Sequence, residues 1–272
     1  MGDNCLDIYY RQDVMTVAGN ALNVAANWAN TDLEPIYLGA IGSDKAGSLI
    51  IDSMNSIGLS LVGVESLPGL TGVTLVNLVK NDREFVFEEF GVCANWFPSE
   101  KQMELVSTCS WVHIAGPSVC ADILSVLTQA NVPISVDLST KREHLTLKGV
   151  EIAFVSLLSE VGEKPFELAE QLLSSGAKTV VITAGSEGSW VFTDKYTSKA
   201  AAIKISPVDT CGAGDSYIAS FIHSYISGLK TQDCLEIATE KASQTCLHFG
   251  SINQEPLEIP TWLKEDYYLQ IP

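Results

Sequence analysis

A glycine-rich turn with a single carboxylate stands directly before a helical pattern in the segment 209–229, DTCGAGDSYIASFIHSYISGL. Large apolar residues recur there at positions 218, 221, 222, 225, 226 and 229, which predicts a helix with one buried face. Gly212 and Gly214 would each cost about 1 kcal/mol relative to alanine inside a helix, so they need another reason. Glycines at a helix start let backbone N–H groups approach an anion closely. The turn Gly212, Ala213, Gly214 and Asp215 therefore predicts an anion-binding loop.

A carboxylate beside a bound anion needs its own explanation, because the two charges repel each other. Asp215 would be useful there if it accepted a proton from an attacking hydroxyl while the amides held a transferring phosphoryl group. The other interpretation is an ordinary first-turn aspartate that the helix dipole stabilises. This loop alone leaves both interpretations open.

The composition of the chain limits the class of protein. Its 272 residues, 46% hydrophobic and 18% charged, are enough for one large α/β domain or two small ones. A net charge of −17 disfavours nucleic acid and anionic lipid as partners, since both need clustered lysine and arginine. No apolar run is long enough for a membrane span, the first residues lack a signal-peptide pattern, and seven scattered cysteines include no CxxC pair. These features predict a cytoplasmic protein with free thiols.

Short apolar runs alternate with helical patterns over most of the chain. The segments 110–116, 133–139, 151–156 and 177–185 are typical of buried strands. Between the last two, 163–176 predicts a helix with Phe166, Ala169, Leu172 and Leu173 facing inward. The alternation predicts an α/β fold with a mostly parallel sheet flanked by helices. Ligands of such sheets bind beyond the carboxyl ends of the strands.

One region lacks this alternation. Residues 71–90 contain two runs of alternating hydrophobicity joined by the polar KNDR, which predicts a hairpin. Together with 6–17 it predicts a small sheet, either a lid over a substrate cleft or an ordinary antiparallel edge. No linker divides the chain, so we expect one domain over 1–272 with lid strands from about 6–17 and 60–92. A lid that exposes Val76, Leu78, Phe85 or Phe87 would have an apolar face, which predicts a homodimer formed through the lid.

Several motifs together resemble the ribokinase/PfkB family of ATP-dependent carbohydrate and nucleoside kinases. DTCGAGDSYIASF matches the carboxy-terminal signature of that family, and VAGNALNVAANWA at 17–29 resembles its amino-terminal Gly-Asn segment. YLGAIGSDKAG at 37–47 and VVITAGSEGSWVF at 180–192 follow in the family order. The resemblance implies a ribokinase-like fold with a small β-sheet lid, and ATP with Mg²⁺ as cofactors. GDNCLDIY and GNALNVA are most similar to the fructoselysine 6-kinases of the family, which implies phosphorylation of the 6-hydroxyl of a fructosamine.

The resemblance also implies roles for individual residues. Asp215 would be the catalytic base and the amides of Gly212, Ala213 and Gly214 would form the anion hole. The implied substrate-binding residues are Asp7, Asn4, Gly19, Asn20 and Asn23. Carboxylates and amides suit a sugar, because they accept from or donate to adjacent hydroxyls. Arg83, on the predicted hairpin, is a further candidate for a substrate contact, although a lone arginine in a polar turn is more often simply solvated.

The nucleotide and the ions have their own implied residues. Thr183, Gly185, Glu187 and Gly188 match the strand and loop that hold nucleotide phosphates and ribose, whereas Ala242 and Cys246 lie in the segment that forms the adenine pocket. Glu160 matches a glutamate that organises Mg²⁺ through water. Asp209 and Thr210 match the start of a loop for a monovalent cation, with K⁺ as the candidate ion.

The chain departs from the family pattern in three places. Leu157 stands where the family commonly has an asparagine three residues before the magnesium glutamate, and an apolar side chain cannot orient metal-bound water. The usual Gly-Gly hinge reads Ala18-Gly19, which has less backbone freedom. Family members also place an apolar strand before GDN, whereas this sequence starts there with Met1-Gly2. Either the start is misassigned or the chain is truncated, and for a truncated chain we expect folding to suffer.

Two alternatives to a fructosamine kinase remain. One is a kinase for another substrate, such as ribose, a ketohexose or an adenosine-like nucleoside. The other is a sugar- or nucleotide-binding protein with impaired catalysis, which Leu157 and the missing strand would permit. Asp215 speaks against the second alternative, because a binding protein has no need for a carboxylate beside bound phosphates.

Overall fold

A computed structural model of the chain describes residues 1–79, 82–139, 145–157, 162 and 164–267. The thirteen strands found there are β1 Cys5–Tyr9, β2 Val14–Ala18, β3 Gly39–Gly42, β4 Val64–Leu67, β5 Thr71–Val79, β6 Asp82–Gly91, β7 Val112–Ile114, β8 Ile134–Asp137, β9 Val150–Ser156, β10 Thr179–Thr183, β11 Ser189–Thr193, β12 Thr197–Ala200 and β13 Leu257–Glu258. The eight α-helices are α1 Asn20–Ala29, α2 Lys45–Ser56, α3 Glu100–Thr108, α4 Ala121–Gln129, α5 Pro165–Ser174, α6 Ala213–Ile226, α7 Thr231–Thr245 and α8 Thr261–Asp266.

The main sheet has six strands in the order β12-β11-β10-β9-β8-β7. Strands β7 to β10 are parallel, and β11 and β12 are added antiparallel. Both faces of this sheet are covered, which explains the unbroken apolar runs of its central strands. Val180 and Ile182 of β10 pack into a core with α3, α4 and α5, whereas Val181 packs into a second core with α6 and α7. The predicted helix-flanked, mostly parallel sheet is therefore confirmed.

The helix predicted over 163–176 is α5, but its inward face was predicted only in part. Ala169 and Leu172 are buried, as expected. Phe166 is 64% exposed, and Leu168 takes a buried position in its place. The ring of Phe166 instead lies over Phe192 of β11, with ring centroids 5.1 Å apart. The face of α5 that packs on the sheet is therefore rotated about the helix axis relative to the face that the sequence pattern predicted.

A second sheet has five strands in the order β13-β2-β1-β5-β6. Strands β1, β2, β5 and β6 come from the segments 5–18 and 71–91, so the predicted small sheet is confirmed. One part of the range 60–92 lies elsewhere, because β4 pairs in parallel with β3 in a separate two-stranded sheet. Leu6, Ile8 and Val73 of the five-stranded sheet belong to a core with residues of α2. The opposite face of this sheet carries residues of the candidate functional site.

The exposed apolar surface of the five-stranded sheet differs from the prediction. Val76 is fully buried in a small cluster with Tyr9 and Cys211, and Leu78 is partly buried against that cluster. Phe85 and Phe87 are 46% and 42% exposed. A bulge pairs Phe87 with Leu75 but Phe85 with Val76, the next residue of β5. Neighbouring residues of a strand face opposite sides, so the two phenylalanines lie on opposite faces of the sheet.

The first two residues lie between the two-stranded sheet and the main sheet. The Gly2 N–H donates to the Leu38 carbonyl at 2.9 Å, and the Ala115 N–H donates to the Met1 carbonyl at 3.1 Å. A parallel bridge joins Gly2 to Ala115, directly after β7. Met1 and Gly2 therefore connect β3 to the edge of the main sheet. Among the described residues no helix combines the length and the apolar character that a membrane crossing requires.

Candidate active site

The start of α6 is set by the backbone conformation of one glycine. Gly212 is the N-cap residue, with φ 72° and ψ 0°, in the left-handed region. A Cβ at this position would lie 2.6 Å from the Cα of Ser251. Both the conformation and the close approach therefore require glycine. At Gly214, in contrast, a Cβ would meet no atom within 4 Å, so open space lies beside the first turn.

Three backbone N–H groups at this helix start are available to a ligand. The Ala213 N–H donates to the Thr210 carbonyl at 3.3 Å. In the part of the chain that the structure describes, no acceptor is found for the N–H groups of Gly212, Gly214 and Asp215. Such groups carry the positive end of the helix dipole. Such an arrangement could hold an anion, and the anion hole stays a prediction.

Asp215 lies in the first turn of α6 and is almost completely buried. The Asn23 Nδ2 of α1 donates to its Oδ2 at 2.7 Å, and the Ser251 Oγ donates to the Asn23 Oδ1 at 3.0 Å. Burial raises the pKa of Asp215 well above its ordinary value, and the charge of Asp137 adds to this effect. The Asn23 hydrogen bond and the charge of Arg83 oppose it. Asp215 is therefore a carboxylate held from one side, with an elevated proton affinity.

A second buried carboxylate, six residues earlier, has a different environment. The Oδ1 of Asp209 accepts from the Cys211 N–H at 3.0 Å. Its Oδ2 accepts from the Gly250 N–H at 2.9 Å and from the Tyr9 hydroxyl at 2.7 Å. These three donors tie together β1, the loop before α6 and the segment after α7. Asp209 therefore braces the loop that ends in the anion hole.

Asp7 lies on the face of the five-stranded sheet opposite its apolar core. The Cys5 Sγ donates to its Oδ1 at 3.4 Å. Burial raises the pKa of Asp7 to about 7, the Cys5 hydrogen bond lowers it, and the charge of Asp209 raises it. Asp7 pairs with Thr16 of β2 and with Thr74 of β5, so the three side chains share one face. We call this the site face.

The predicted residues Asn4, Gly19 and Asn20 form the connection between the site face and α1. The Asn4 Nδ2 donates to the Tyr37 hydroxyl at 2.8 Å and to the Ala40 carbonyl at 2.6 Å, and no described residue donates to its buried Oδ1. Gly19 has φ 120°, and a Cβ there would lie 2.4 Å from the Asn4 Cα. The Asn20 N–H donates to Asp3 at 3.1 Å. Asn4 and Gly19 therefore support the local structure.

Asp3 has a capping role at the start of α1 that the sequence did not indicate. Its carboxylate accepts from the N–H groups of Asn20 and Ala21, each at 3.1 Å. Burial raises the pKa of Asp3, whereas the two amide hydrogen bonds lower it. The side chain satisfies amides that have no partner within the helix. The sequence offered little signal for this contact, because Asp3 precedes the helix by 17 residues.

Arg83 and Thr210 join the tip of the hairpin to the loop before α6. The Thr210 Oγ1 donates to the Asp82 Oδ1 at 2.6 Å and accepts from the Arg83 N–H at 3.1 Å. The guanidinium lies 5.4 Å from the centre of the Phe85 ring. Its charge also lowers the pKa of Asp7 and Asp215. Arg83, the predicted substrate contact, therefore lies on β6. Thr210 connects this strand to the loop before α6.

The predicted nucleotide residues occupy two nearby segments. Thr183 ends β10 and is followed by a short 3₁₀ turn, Gly185–Glu187. Gly188 has φ 98°, and a Cβ there would lie 2.2 Å from the Ala200 carbonyl oxygen. Glu187 is exposed. The turn therefore stands at the carboxyl end of a central strand, where ligands of α/β sheets bind.

Ala242 and Cys246 lie at the end of α7. The Cys246 carbonyl accepts from the N–H groups of Val208, at 2.8 Å, and Asp209, at 3.4 Å. This part of α7 is thus attached to the loop that precedes the anion hole.

The magnesium motif can be described only in part. Glu160 lies outside the described residues. Leu157 follows β9, donates its N–H to the Thr183 carbonyl at 2.7 Å, and packs its side chain against the main-sheet core. Among the described residues no group of three or more His, Cys, Asp or Glu side chains could hold a metal ion.

The sequence analysis missed Asp137 and Ser251. Asp137 ends β8 and accepts from the Ser139 N–H at 2.9 Å and the Ser139 hydroxyl at 2.6 Å. Its position in the run PISVDLS, at the carboxyl end of a predicted strand, was a usable signal. Ser251 had no comparable signal, since its contact with Asn23 joins residues 228 positions apart.

Known proteins resemble this chain over most of its length. Fructoselysine 6-kinase of Escherichia coli K12 is 28% identical over 255 residues, covering 92% of this chain and 97% of that protein. Fructosamine kinase FrlD of Bacillus subtilis 168 is 30% identical over 258 residues, covering 92% and 91%.

Solved structures share the fold. Arabidopsis thaliana ribokinase complexed with ribose and ATP superimposes with a TM-score of 0.77 at 22% identity, covering 94% of each chain. A putative ribokinase II from E. coli, in complex with ATP and Mg²⁺, gives a TM-score of 0.78 at 18% identity, covering 92% of each chain. The sequence profile described as pfkB family carbohydrate kinase matches residues 4–258. A chain with this fold, this helix start and these relatives belongs to the pfkB family of carbohydrate kinases and is an ATP-dependent sugar kinase.

Proposed function

We propose that this sugar kinase transfers the γ-phosphoryl group of ATP to the 6-hydroxyl of a fructosamine, with fructoselysine as the leading substrate. The two curated relatives, each named for such a substrate, support the substrate class. The observation that carries the chemistry is the position of Asp215. Its buried carboxylate lies in the same helix turn as three N–H groups that have no acceptor among the described residues.

Asp215 is the group that accepts the proton of the sugar hydroxyl. The Asn23 amide holds the Oδ2, and no described residue donates to the Oδ1, which leaves that oxygen for the substrate. Since Ser251 donates to the Asn23 Oδ1, the orientation of the Asn23 amide is set as well. The raised pKa of Asp215 increases its ability to take a proton from the hydroxyl.

The anion hole stabilises the charge of the transferring group. As the sugar oxygen bonds to the γ-phosphorus, the bond from that phosphorus to the ADP oxygen breaks, and the hydroxyl proton passes to Asp215. The N–H groups of Gly212, Gly214 and Asp215 donate to the equatorial phosphoryl oxygens during this transfer. Because these groups are already oriented, little reorganisation accompanies the reaction.

The remaining predicted residues have binding roles in this proposal. Asp7 accepts from sugar hydroxyls, and Asn20 and Arg83 border the same space. Thr183, Gly185, Glu187 and Gly188 hold phosphates and ribose. Ala242 and Cys246 line the adenine pocket.

Mg²⁺ fits the acidic end of the main sheet. This ion keeps several waters and binds through few carboxylates together with substrate phosphates, so the lack of a three-ligand cluster among the described residues agrees with its usual mode. Asp137, at the carboxyl end of β8, is the carboxylate of this chain that would hold it. When bound, Mg²⁺ neutralises the charge of the phosphates. Asp209 and Thr210, the residues predicted to lie at a K⁺ site, form hydrogen bonds with other residues of the chain. A monovalent cation at this loop stays a prediction.

Three broader expectations also stay predictions: a single domain, a cytoplasmic location and a homodimer formed through the five-stranded sheet. Phe85, Val86 and Phe87 of β6 are the exposed apolar residues that such a dimer would cover.

The test is ATP-dependent ADP release with fructoselysine, D-fructose, ribose and adenosine, using wild type and Asp215→Asn. We expect wild type to act on fructoselysine and the substitution to lower kcat by about 10²–10⁴-fold. The Kd for ATP should change little. ³¹P–¹H correlation spectra of the product would identify the phosphorylated hydroxyl.

Other outcomes distinguish the alternatives. Turnover of ribose, D-fructose or adenosine alone would replace the proposed substrate but retain the kinase. Binding of ATP and sugar without turnover would show a binding protein with impaired catalysis. A kcat of Asp215→Asn within tenfold of wild type would remove Asp215 as the base.

A further inference from the structure

The site face carries a row of polar side chains across four adjacent strands. Asp7 of β1 pairs with Thr16 of β2 and with Thr74 of β5, and Thr74 pairs with Glu88 of β6. Directly paired residues project from the same face of a sheet. The row therefore runs Thr16, Asp7, Thr74, Glu88 in one direction across the sheet.

The row is buried at one end and open at the other. Thr16, Asp7 and Thr74 are all less than 10% exposed, whereas Glu88 is exposed. The Oγ1 of Thr16 is buried, and no described residue forms a hydrogen bond with it. The row thus contains an unsatisfied polar atom at its buried end.

Glu88 differs from Glu84, another glutamate of β6 that pairs with β5. Glu84 pairs with Asn77 on the opposite face, and its Oε2 accepts from the Asn77 Nδ2 at 3.2 Å. No described residue bonds to the Glu88 carboxylate. Burial and the charge of Asp3 raise the pKa of Glu88, and the charge of Arg83 lowers it. The Glu88 carboxylate is therefore an acceptor available to a ligand of the site.

A neutral sugar does not account for this second carboxylate. In the proposed function Asp7 and Thr74 serve the hydroxyls, and placing Glu88 on the same face as Asp7 adds a like charge, which the charge of Arg83 opposes. A cationic group of the ligand would compensate that charge. A fructosamine has such a group, because its sugar carbon 1 carries a secondary amine that is an ammonium near neutral pH.

We infer that Glu88 binds the bridging ammonium nitrogen of a fructosamine and so sets the preference of the kinase for cationic over neutral ketoses. This inference rests on the proposed function. Adjacent strands are about 4.8 Å apart, so the backbone of Glu88 lies roughly 10 Å from that of Asp7, across β5. The sugar would lie along the row with its hydroxyls toward Asp7 and its amine toward β6, the exposed edge. Glu88 acts as a specificity-determining residue and takes no part in the transfer.

The test compares wild type, Glu88→Gln and the matched control Glu84→Gln. The substrates are fructoselysine, Nα-acetyl-fructoselysine, which keeps only the bridging ammonium, and neutral D-fructose. For Glu88→Gln we expect KM to rise about five- to tenfold for both fructosamines, with kcat unchanged and with the KM for D-fructose unchanged. Glu84→Gln should behave as wild type with all three. Calorimetric Kd values without ATP should show the same pattern.

Any other result of this experiment would contradict the inference in whole or in part. A Glu88→Gln enzyme that handles both fructosamines normally would overturn it and leave the proposed function intact. An equal effect on D-fructose would show a general role in sugar binding. An effect that disappears with the acetylated substrate would assign Glu88 to the other amine. Wild type that phosphorylates D-fructose but neither binds nor phosphorylates a fructosamine would remove the proposed substrate and this inference together.

Discussion

In the proposed function, the start of α6 and the site face of the five-stranded sheet contribute to one site in different ways. The helix start presents backbone N–H groups, fixed by the left-handed conformation of Gly212 and by the brace of Asp209. The site face presents side chains from four strands, and its last strand, β6, is exposed. The phosphoryl group is common to all substrates of such kinases, and fixed backbone suits it. The sugar differs from one kinase to another, and side chains on a sheet can be exchanged to fit each sugar.

The largest expected effect concerns the helix start. Gly212→Ala should lower kcat by about 100-fold or more, because the anion hole is displaced. It should also destabilise the fold by about 1–2 kcal/mol from the left-handed conformation alone, with more from the contact at Ser251. Measurement of kcat and of the Tm would check both effects.

Gly214→Ala is the matched control within the same turn. No atom lies within 4 Å of the added Cβ, so the Tm should be unchanged or higher, since alanine favours the helix by about 1 kcal/mol. A phosphate approaching Gly214 would still meet the new methyl group, and kcat/KM for ATP should fall. If Gly212→Ala had normal activity and a normal Tm, the contrast between fixed backbone and adaptable side chains would fail.

An intermediate effect concerns Asp7 on the site face. A folded-state pKa of about 7, against an ordinary value of 3.8, means that folding disfavours the charged form. This group therefore contributes most stability below pH 4 and loses that contribution as the pH rises to 7, by at most about 4 kcal/mol. Asp7→Asn should have the Tm of wild type near pH 4 and a higher Tm at pH 8.

The same substitution should weaken sugar binding at pH 8, raising the KM for the sugar by roughly tenfold or more, because a charged acceptor is lost. Thermal unfolding from pH 4 to pH 8 and sugar kinetics would measure the two effects. A Tm difference that is the same at both pH values would show that the burial of Asp7 does not disfavour its charge.

The smallest expected effect concerns the connection between the two regions. Thr210→Val keeps the shape of the side chain but removes the hydroxyl that binds Asp82 and the Arg83 N–H. One or two exposed hydrogen bonds are worth about 1 kcal/mol, so the KM for the sugar should rise about two- to fivefold, with kcat nearly unchanged.

Thr128→Val is the corresponding control, because among the described residues the Thr128 hydroxyl bonds only to the nearby Ser125 carbonyl. Equal kinetics of the two variants would indicate that the hairpin tip and the loop act independently.

Much of the framework could be predicted from local sequence patterns. The glycine turn before α6, the helix itself and the strands β7 to β10 depend on periodicity and on backbone preferences over a few residues, so the sequence alone determined them. The anion-binding role of the turn was predicted for the same reason. Family motifs added the kinase activity.

Other features depended on contacts between distant segments. The hydrogen-bond partners of Asp209 and Asp215 could not be predicted from the sequence. Asp209 accepts from three donors and braces the loop, whereas Asp215 accepts from one. Val76 is buried because it packs with Tyr9 and Cys211, and Phe166 is exposed because α5 is rotated on its sheet, and neither leaves a local signal. The polar row that ends in Glu88 comes from the register of four strands, so only the tertiary structure decided which carboxylates share a face of the sheet.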